Sequence, residues 1–236
     1  AQTLDAAGRH VFDRGKCRRC GRCVDACLLD VLRFSAREVP VDDAVALLLE
    51  DRDFYEQSGG GVTLSGGEPL CQAAFCEEIL RCVRAEGVHT AVDTCGNVPW
   101  DALARVLPYT SLFLYDLKLM DTGRHRAWTG CGNERILANL RHLAGNGVPI
   151  EVRMPLLPTL TLTPAECRAA GAFLAELPQA VTVRLLAYHD YARDKYRYAG
   201  MADTMPRLPP PSAADLEEAA AVLRAYGLQV VHALAD

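Results

Sequence analysis

The chain has 236 residues, of which 50% are hydrophobic and 23% charged, with a formal net charge of -5; this is the composition of a soluble globular domain and excludes a disordered chain or a collagen-like fibre. No block of Lys and Arg gives an electrostatic reason to expect nucleic acid or an anionic membrane as partner. The opening AQTLDAAGRHVFDRGK lacks the apolar stretch of a secretory signal, and no later run approaches the ~18 apolar residues of a membrane span, so a cytoplasmic location is expected.

Four of the ten cysteines, Cys17, Cys20, Cys23 and Cys27, fall within eleven residues. That is too tight for a secreted disulfide framework and reads as thiolates for a metal. The spacing C-x2-C-x2-C-x3-C is the run by which bacterial ferredoxins hold iron-sulfur clusters, the fourth thiolate serving the other cluster in two-cluster proteins. Zinc is the alternative, although thiolate zinc sites more often use two separated C-x2-C knuckles. The dispersed Cys71, Cys76, Cys82, Cys95, Cys131 and Cys167 are expected to act as small buried hydrophobes.

After this opening, taken as a segment 1–34 followed by a second domain 35–236, VPVDDAVALLLEDRDF predicts a helix with Asp42 or Asp43 as N-cap. Short apolar runs then alternate with helical patterns. GVTLSGG precedes a helix with Phe75, Ile79 and Val83 on one face; TAVDTCG precedes a short amphipathic piece over Trp100–Val106. SLFLYDLK precedes a helix over Glu134–Ala144, PIEVRMPL one over Pro164–Leu177, and VTVRLLAY follows. Five strands are counted from Gly61 to Tyr188. A loop over Tyr191–Pro211 leads to a helix over Ser212–Tyr226 and a further strand, LQVVHAL. Nearly continuous apolar strands separated by helices imply parallel β-α units with both sheet faces covered, hence an α/β barrel or open sheet.

Each strand ends in polar residues: Ser65-Gly66-Gly67-Glu68, Asp93-Thr94, Asp116 with Lys118, Arg153, and His189. In parallel α/β architectures these ends share one rim, where ligands bind. A strand running into Ser-Gly-Gly-Glu-Pro lets backbone approach a ligand closely, offers N–H groups to a carboxylate, and sets Glu68 to receive an ammonium. That chemistry suits an amino acid group.

GGGVTLSGGEPL, DTCGN, YDLKLMD, HRAWTGCGNERILANL and LLAYHDYARDKY, in this order, resemble the activating enzymes of glycyl radical enzymes, a branch of the radical S-adenosylmethionine superfamily that includes the pyruvate formate-lyase activator. The resemblance covers nearly the whole chain and implies a partial (β/α)6 TIM-like barrel with a small ferredoxin-like insert. It implies S-adenosylmethionine held by Ser65, Gly66, Gly67 and Glu68 at its amino group. Asp93, Thr94, the Leu114 carbonyl and Asp116 would form a monovalent cation site beside its carboxylate, and Lys118, Arg153 and His189 would line the pocket. By the same resemblance Ser58 to Gly60 would shape the entrance, and Asp121 and His125 would meet the substrate polypeptide. The implied chemistry is reductive cleavage of S-adenosylmethionine by a [4Fe-4S] cluster, giving a radical that removes hydrogen from a glycine Cα of the partner. A flavodoxin or ferredoxin would supply the electron.

The superfamily's own cluster takes C-x3-C-x2-C, and no three cysteines of this chain stand at i, i+4 and i+7. The expectation is therefore of a fragment that begins downstream of that triplet and lacks the first barrel strand. The insert also departs from its relatives, with one cysteine run instead of two and Leu28 where they carry Pro. Two other readings stand beside the activator: an iron-sulfur electron-transfer or binding module with the barrel as scaffold, and a radical enzyme acting on a small molecule. A pure electron carrier has no use for Glu68, Asp93, Asp116 and His189 at successive strand ends.

Overall fold

In the computed structural model, residues 1–233 are described. In chain order they form β1 (Gln2–Leu4), β2 (His10–Phe12), α1 (Arg22–Asp25), α2 (Val41–Leu49), α3 (Arg52–Ser58), β3 (Gly61–Leu64), α4 (Ala73–Ala85), β4 (His89–Thr94) and α5 (Trp100–Val106). Then follow β5 (Leu112–Asp116), α6 (Thr122–Thr129), α7 (Glu134–Ala144), β6 (Ile150–Leu156), α8 (Pro164–Ala175), β7 (Thr182–Ala187), α9 (Arg193–Ala199), α10 (Ala213–Arg224) and β8 (Gln229–Ala233). They divide into two compact units: Ala1–Pro40 with Tyr191–Met205, and Val41–Asp190 with the segment from Pro206 onward. The cysteine-bearing unit thus takes in Tyr191–Met205 as well.

In the first unit, β1 and β2 pair antiparallel with Thr3 opposite Val11. Their turn is closed by the Asp5 carboxylate, which accepts the Ala7 and Arg9 N–H groups at 2.9 Å each; the Arg9 N–H is the main reason that carboxyl is held below its ordinary value. The Tyr191–Pro211 stretch is not wholly a loop, since it contains α9, which ends at Gly200 in the left-handed region (φ 69°). Arg14 donates to the Tyr198 carbonyl, and Arg193 pairs with Asp203 at 2.6 Å.

In the second unit the strands form one six-stranded parallel sheet in the order β3-β4-β5-β6-β7-β8, with β3 and β8 as unjoined edges. Sequential order with helices between strands, left open, is a partial barrel. The strand expected in LQVVHAL is β8; Leu234 lies outside the described residues.

Within this unit, among the described residues, the helices pack against the sheet face that carries the fully buried alternate residues, and the opposite face carries half-buried ones, where the expectation was of both faces equally covered. Along β6, Ile150, Val152, Met154 and Leu156 are buried while Glu151, Arg153 and Pro155 are half-buried. This period-two alternation turns the first set toward the helices. The core between sheet and helices gathers Phe113, Tyr115, Val152, Leu185, Leu103, Leu140, Leu174, Leu216 and Leu223, each fully buried leucine contributing about 2 kcal/mol. A smaller cluster of Val62, Ile79, Val83 and Val88 takes Val45, Leu48 and Leu49 of α2 against it. The helix expected over 39–54 is two helices, α2 and α3. Because α2 starts at Val41, directly after Pro40, Asp42 and Asp43 lie in its first turn rather than at its cap, where their charge meets the free N–H groups.

Candidate functional site

Because all six strands run parallel, their carboxyl ends form one rim, and the sheet face opposite the helix-packed one carries Asp93, Leu114, Asp116, Glu151, Arg153 and Arg184, the last two in register on β6 and β7. Parallel pairing sets Asp116 opposite Arg153 and Asp93 opposite Leu114. The side chains join into a chain of alternating charge. Ser65 Oγ donates to Asp93 Oδ2 at 2.9 Å, and the same oxygen lies 3.3 Å from Arg153 Nη1. Arg153 Nε lies 3.5 Å from Asp116 Oδ1, and Lys118 Nζ donates to Asp116 Oδ2 at 2.8 Å. Both Arg153 distances exceed the ~2.8 Å of a good charge-assisted bond. Its Nε is buried without a hydrogen-bond partner among the described residues.

Next to this chain stands the loop after β3. Gly66 has φ 132°, and a Cβ built on Gly66 or Gly67 would meet no atom within 4 Å; the positive φ at Gly66 favours glycine, and open space lies beside both. The Glu68 carboxylate fastens the loop to the end of β4. It accepts the Thr94 hydroxyl at 2.8 Å, the Cys95 N–H at 2.9 Å, the Cys95 thiol at 3.1 Å and the Leu70 N–H at 3.2 Å. Burial pushes the Cys95 thiol up, and the neighbouring Glu68 carboxylate adds to the effect. The thiol is the weakest of these donors, so a ligand ammonium that displaced it would gain a charge-assisted bond.

Of the residues singled out in the sequence, Ser65, Gly66, Gly67, Glu68, Asp93, Asp116, Lys118 and Arg153 lie along this rim and its inner face. His189 follows β7 by two residues and is exposed; its neighbour Tyr188 is buried and donates its hydroxyl to the Pro206 carbonyl at 2.9 Å. The Thr94 hydroxyl is turned to Glu68, and the Arg153 guanidinium lies between Asp93 and Asp116. Ser58 to Gly60 do not shape an entrance at this rim: they close α3 and lead into the amino end of β3, with Ser58 Oγ accepting the Gly60 N–H at 3.1 Å. His125 does not face a polypeptide substrate either, being 2% exposed with Nδ1 bonded 2.7 Å from the Cys131 carbonyl oxygen. Asp121 is exposed and caps α6 by accepting the Arg124 N–H at 2.6 Å.

Three buried side chains that the sequence did not single out hold the rim loops from behind. Asn139 on α7 donates to the Gly96 and Val98 carbonyls at 2.8 and 2.9 Å, and Asn133 donates to the Leu119 and Met120 carbonyls at 2.8 Å each. Glu166 accepts the Met120 N–H at 2.8 Å. Thr163-x-x-Glu166 has the spacing of a capping box. Thr163 does cap α8, but the Glu166 carboxylate reaches away to Met120.

In the first unit, Cys17 Sγ accepts the Arg19 N–H and Cys27 Sγ the Leu32 N–H, each at 3.4 Å, and Gln2 Nε2 donates to Cys23 Sγ at 3.5 Å. The Leu32 N–H is the chief cause that lowers the Cys27 thiol. Such donors are those that stabilise cluster-bound thiolates. All four cysteines are free thiols, and no three His, Cys, Asp or Glu side chains converge as a metal site among the described residues. The donor chemistry fits an iron-sulfur cluster; the ligand set is not gathered. Of the dispersed cysteines, Cys76 and Cys167 are buried, whereas Cys71 is exposed. On the rim, alternating charge, the orphaned Arg153 Nε and the open space at Gly66 and Gly67 fit a ligand bearing both an ammonium and a carboxylate.

Residues 14–166 match the Radical SAM superfamily. The chain is 40% identical over 190 residues to the isethionate sulfite-lyase activating enzyme of Nitratidesulfovibrio vulgaris, covering 79% of this chain and 61% of that protein's length. It is 35% identical over 218 residues to the pyruvate formate-lyase 2-activating enzyme of Escherichia coli K12, covering 91% of this chain and 74% of that one. Among solved structures, a domain of pyruvate-formate lyase-activating enzyme from Bacteroides vulgatus superposes with a TM-score of 0.64 at 31% identity, covering 74% of this chain and 99% of that domain. No helix of the described residues is long and apolar enough to cross a membrane.

Proposed function

We propose a function for the whole protein from one premise: the chain belongs to the radical S-adenosylmethionine superfamily and, within it, to the activating enzymes of glycyl radical enzymes. On this reading the protein installs a radical on a glycine of a partner glycyl radical enzyme in the cytoplasm, with a flavodoxin or ferredoxin as reductant. S-adenosylmethionine and a reduced [4Fe-4S] cluster, when bound, supply the radical chemistry. The chain spans about three fifths of the length of the isethionate sulfite-lyase activating enzyme that it matches, so this activity is proposed of the whole protein.

The chain's own residues provide the pocket. Ser65, Gly66 and Gly67 bring backbone up to the ligand's amino end and Glu68 supplies the anion there. Arg153, Lys118 and His189 meet its anionic and polar groups; a monovalent cation held by Asp93, Thr94, the Leu114 carbonyl and Asp116 would displace the Arg153 guanidinium from between the two carboxylates and turn the Thr94 hydroxyl from Glu68. Cys17, Cys20, Cys23 and Cys27 are assigned to a further iron-sulfur cluster, supported by the N–H donors at three of the four sulfurs.

The observation that carries the reading is the joined chain Ser65–Asp93–Arg153–Asp116–Lys118 across four neighbouring strands. Anaerobic titration of the whole protein with S-adenosylmethionine tests it. Asp116→Ala should weaken binding by about tenfold, the worth of one charge-assisted contact, and unchanged affinity would count against the pocket. Electron paramagnetic resonance of a candidate partner should show a glycyl radical only when protein, reductant and S-adenosylmethionine are all present.

A further inference from the structure

The loop from Leu117 to Asp121 connects β5 to α6 and carries Lys118. Its path is fixed from two helices at once. Asn133, 2% exposed at the start of α7, gives both amide hydrogens to the loop, one to the Leu119 carbonyl and one to the Met120 carbonyl. Glu166, 6% exposed on α8, accepts the Met120 N–H through one carboxylate oxygen and Arg124 Nη1, at 3.0 Å, through the other. Arg124 in turn donates to the Leu160 carbonyl at 2.6 Å, tying the loop after β6 into the same clasp. At the loop's other end, Leu117 N–H continues the sheet ladder onto the Arg153 carbonyl at 2.9 Å. Both residues that follow Lys118 are therefore pinned by buried side chains.

A lysine head on four rotatable bonds is not fixed by its own side chain; the position of its backbone decides which partners it can reach. Here Lys118 closes the polar chain on Asp116. A buried carboxylate is costly unless fully engaged, and Glu166 is turned away from the N-cap of its own helix to hold a loop amide.

We infer that Glu166 and Asn133 are positioning residues for Lys118, fixing the 117–121 loop so that the ammonium stays at the Asp116 end of the chain where the ligand binds. The inference rests on the reading of Lys118 as a ligand contact. The experiment is a double-mutant cycle on the whole protein, with S-adenosylmethionine affinity measured by anaerobic titration for Lys118→Ala, Glu166→Ala and the pair. Each single change should weaken binding by about tenfold, and the pair should be no weaker than Lys118→Ala alone, because residues acting through one another are not additive. Glu166→Gln, which keeps an oxygen for the Met120 N–H, should remain within about threefold of wild type. Hydrogen exchange at the Met120 amide should speed up in Glu166→Ala and not in Lys118→Ala. A pair about a hundredfold weaker than wild type, the additive result, would overturn the inference while leaving Lys118 as a contact. Wild-type affinity in Lys118→Ala would instead overturn the reading on which it rests. Should Glu166→Ala fail to fold, Asn133→Ser, too short to span both carbonyls, takes its place in the cycle with the same expected pattern.

Discussion

Gly96 sits so close to Tyr115 that a Cβ built on it would overlap the tyrosine hydroxyl. That hydroxyl is buried and donates to the Ile136 carbonyl at 2.7 Å, and Gly96 itself has φ 68°. Gly96→Ala therefore incurs left-handed strain and displaces a buried hydrogen bond, a combined loss of about 3 kcal/mol. Urea denaturation of the whole protein should show it as a lowered midpoint with unchanged slope. A midpoint equal to wild type would mean that Tyr115 can withdraw without consequence.

The two carbonyls that Asn139 satisfies distinguish its amide from its volume. Asn139→Leu leaves the Gly96 and Val98 oxygens without this donor and should cost about 2 kcal/mol. Asn139→Asp sets a carboxylate against those two oxygens and should cost more, although it is nearly isosteric. Thermal unfolding of both variants gives the order; Asp at least as stable as Leu would show that packing, not the amide, is what matters there.

The buried thiols set an alkaline limit. Burial pushes Cys76 up to about 11 from an ordinary value of 9.0, and its Sγ donates to the Pro69 carbonyl at 3.1 Å. Below pH 9.0 the thiol is neutral whether the chain is folded or not, and its contribution is fully present. Between 9.0 and about 11 the unfolded chain ionises while the folded one does not, so stability falls as pH rises. Cys95 and Cys167 shift in the same direction through burial, and so does the Tyr115 phenol. Urea midpoints from pH 8 to 11 should decline, with Cys76→Ala declining less steeply; parallel declines would remove Cys76 from the account.

Much of the fold was legible in apolar spacing. The helices over Trp100–Val106 and Glu134–Ala144 fall where the pattern puts them, because each carries a clean apolar stripe between turn residues. α6 was not legible, since TGRHRAWT has no stripe and buries only His125. The β1–β2 hairpin leaves no periodic signal because its strands are three residues each and lie mostly exposed. For the site, Asp93, Asp116 and Arg153 stood out as charges interrupting apolar strands, but which of them pair depends on sheet register, which no local pattern encodes. Asn139 and Glu166 lie within helices and Asn133 just before one, with no local signal to mark them; their work depends on loops 13 to 46 residues away in sequence. The burial of His125 is illegible for the same reason: a histidine's exposure is decided by what packs over it.

Asp93, Arg153, Asp116 and Lys118 follow one another with alternating sign along the rim, so that two negative charges and two positive ones cancel over a few ångströms. Beyond about one Debye length such an array casts almost no field. Arriving ligands are therefore not steered in by it from a distance, and added salt leaves its share of the encounter rate as it was. Discrimination begins only at contact, where each charge is presented separately to the group that fits it.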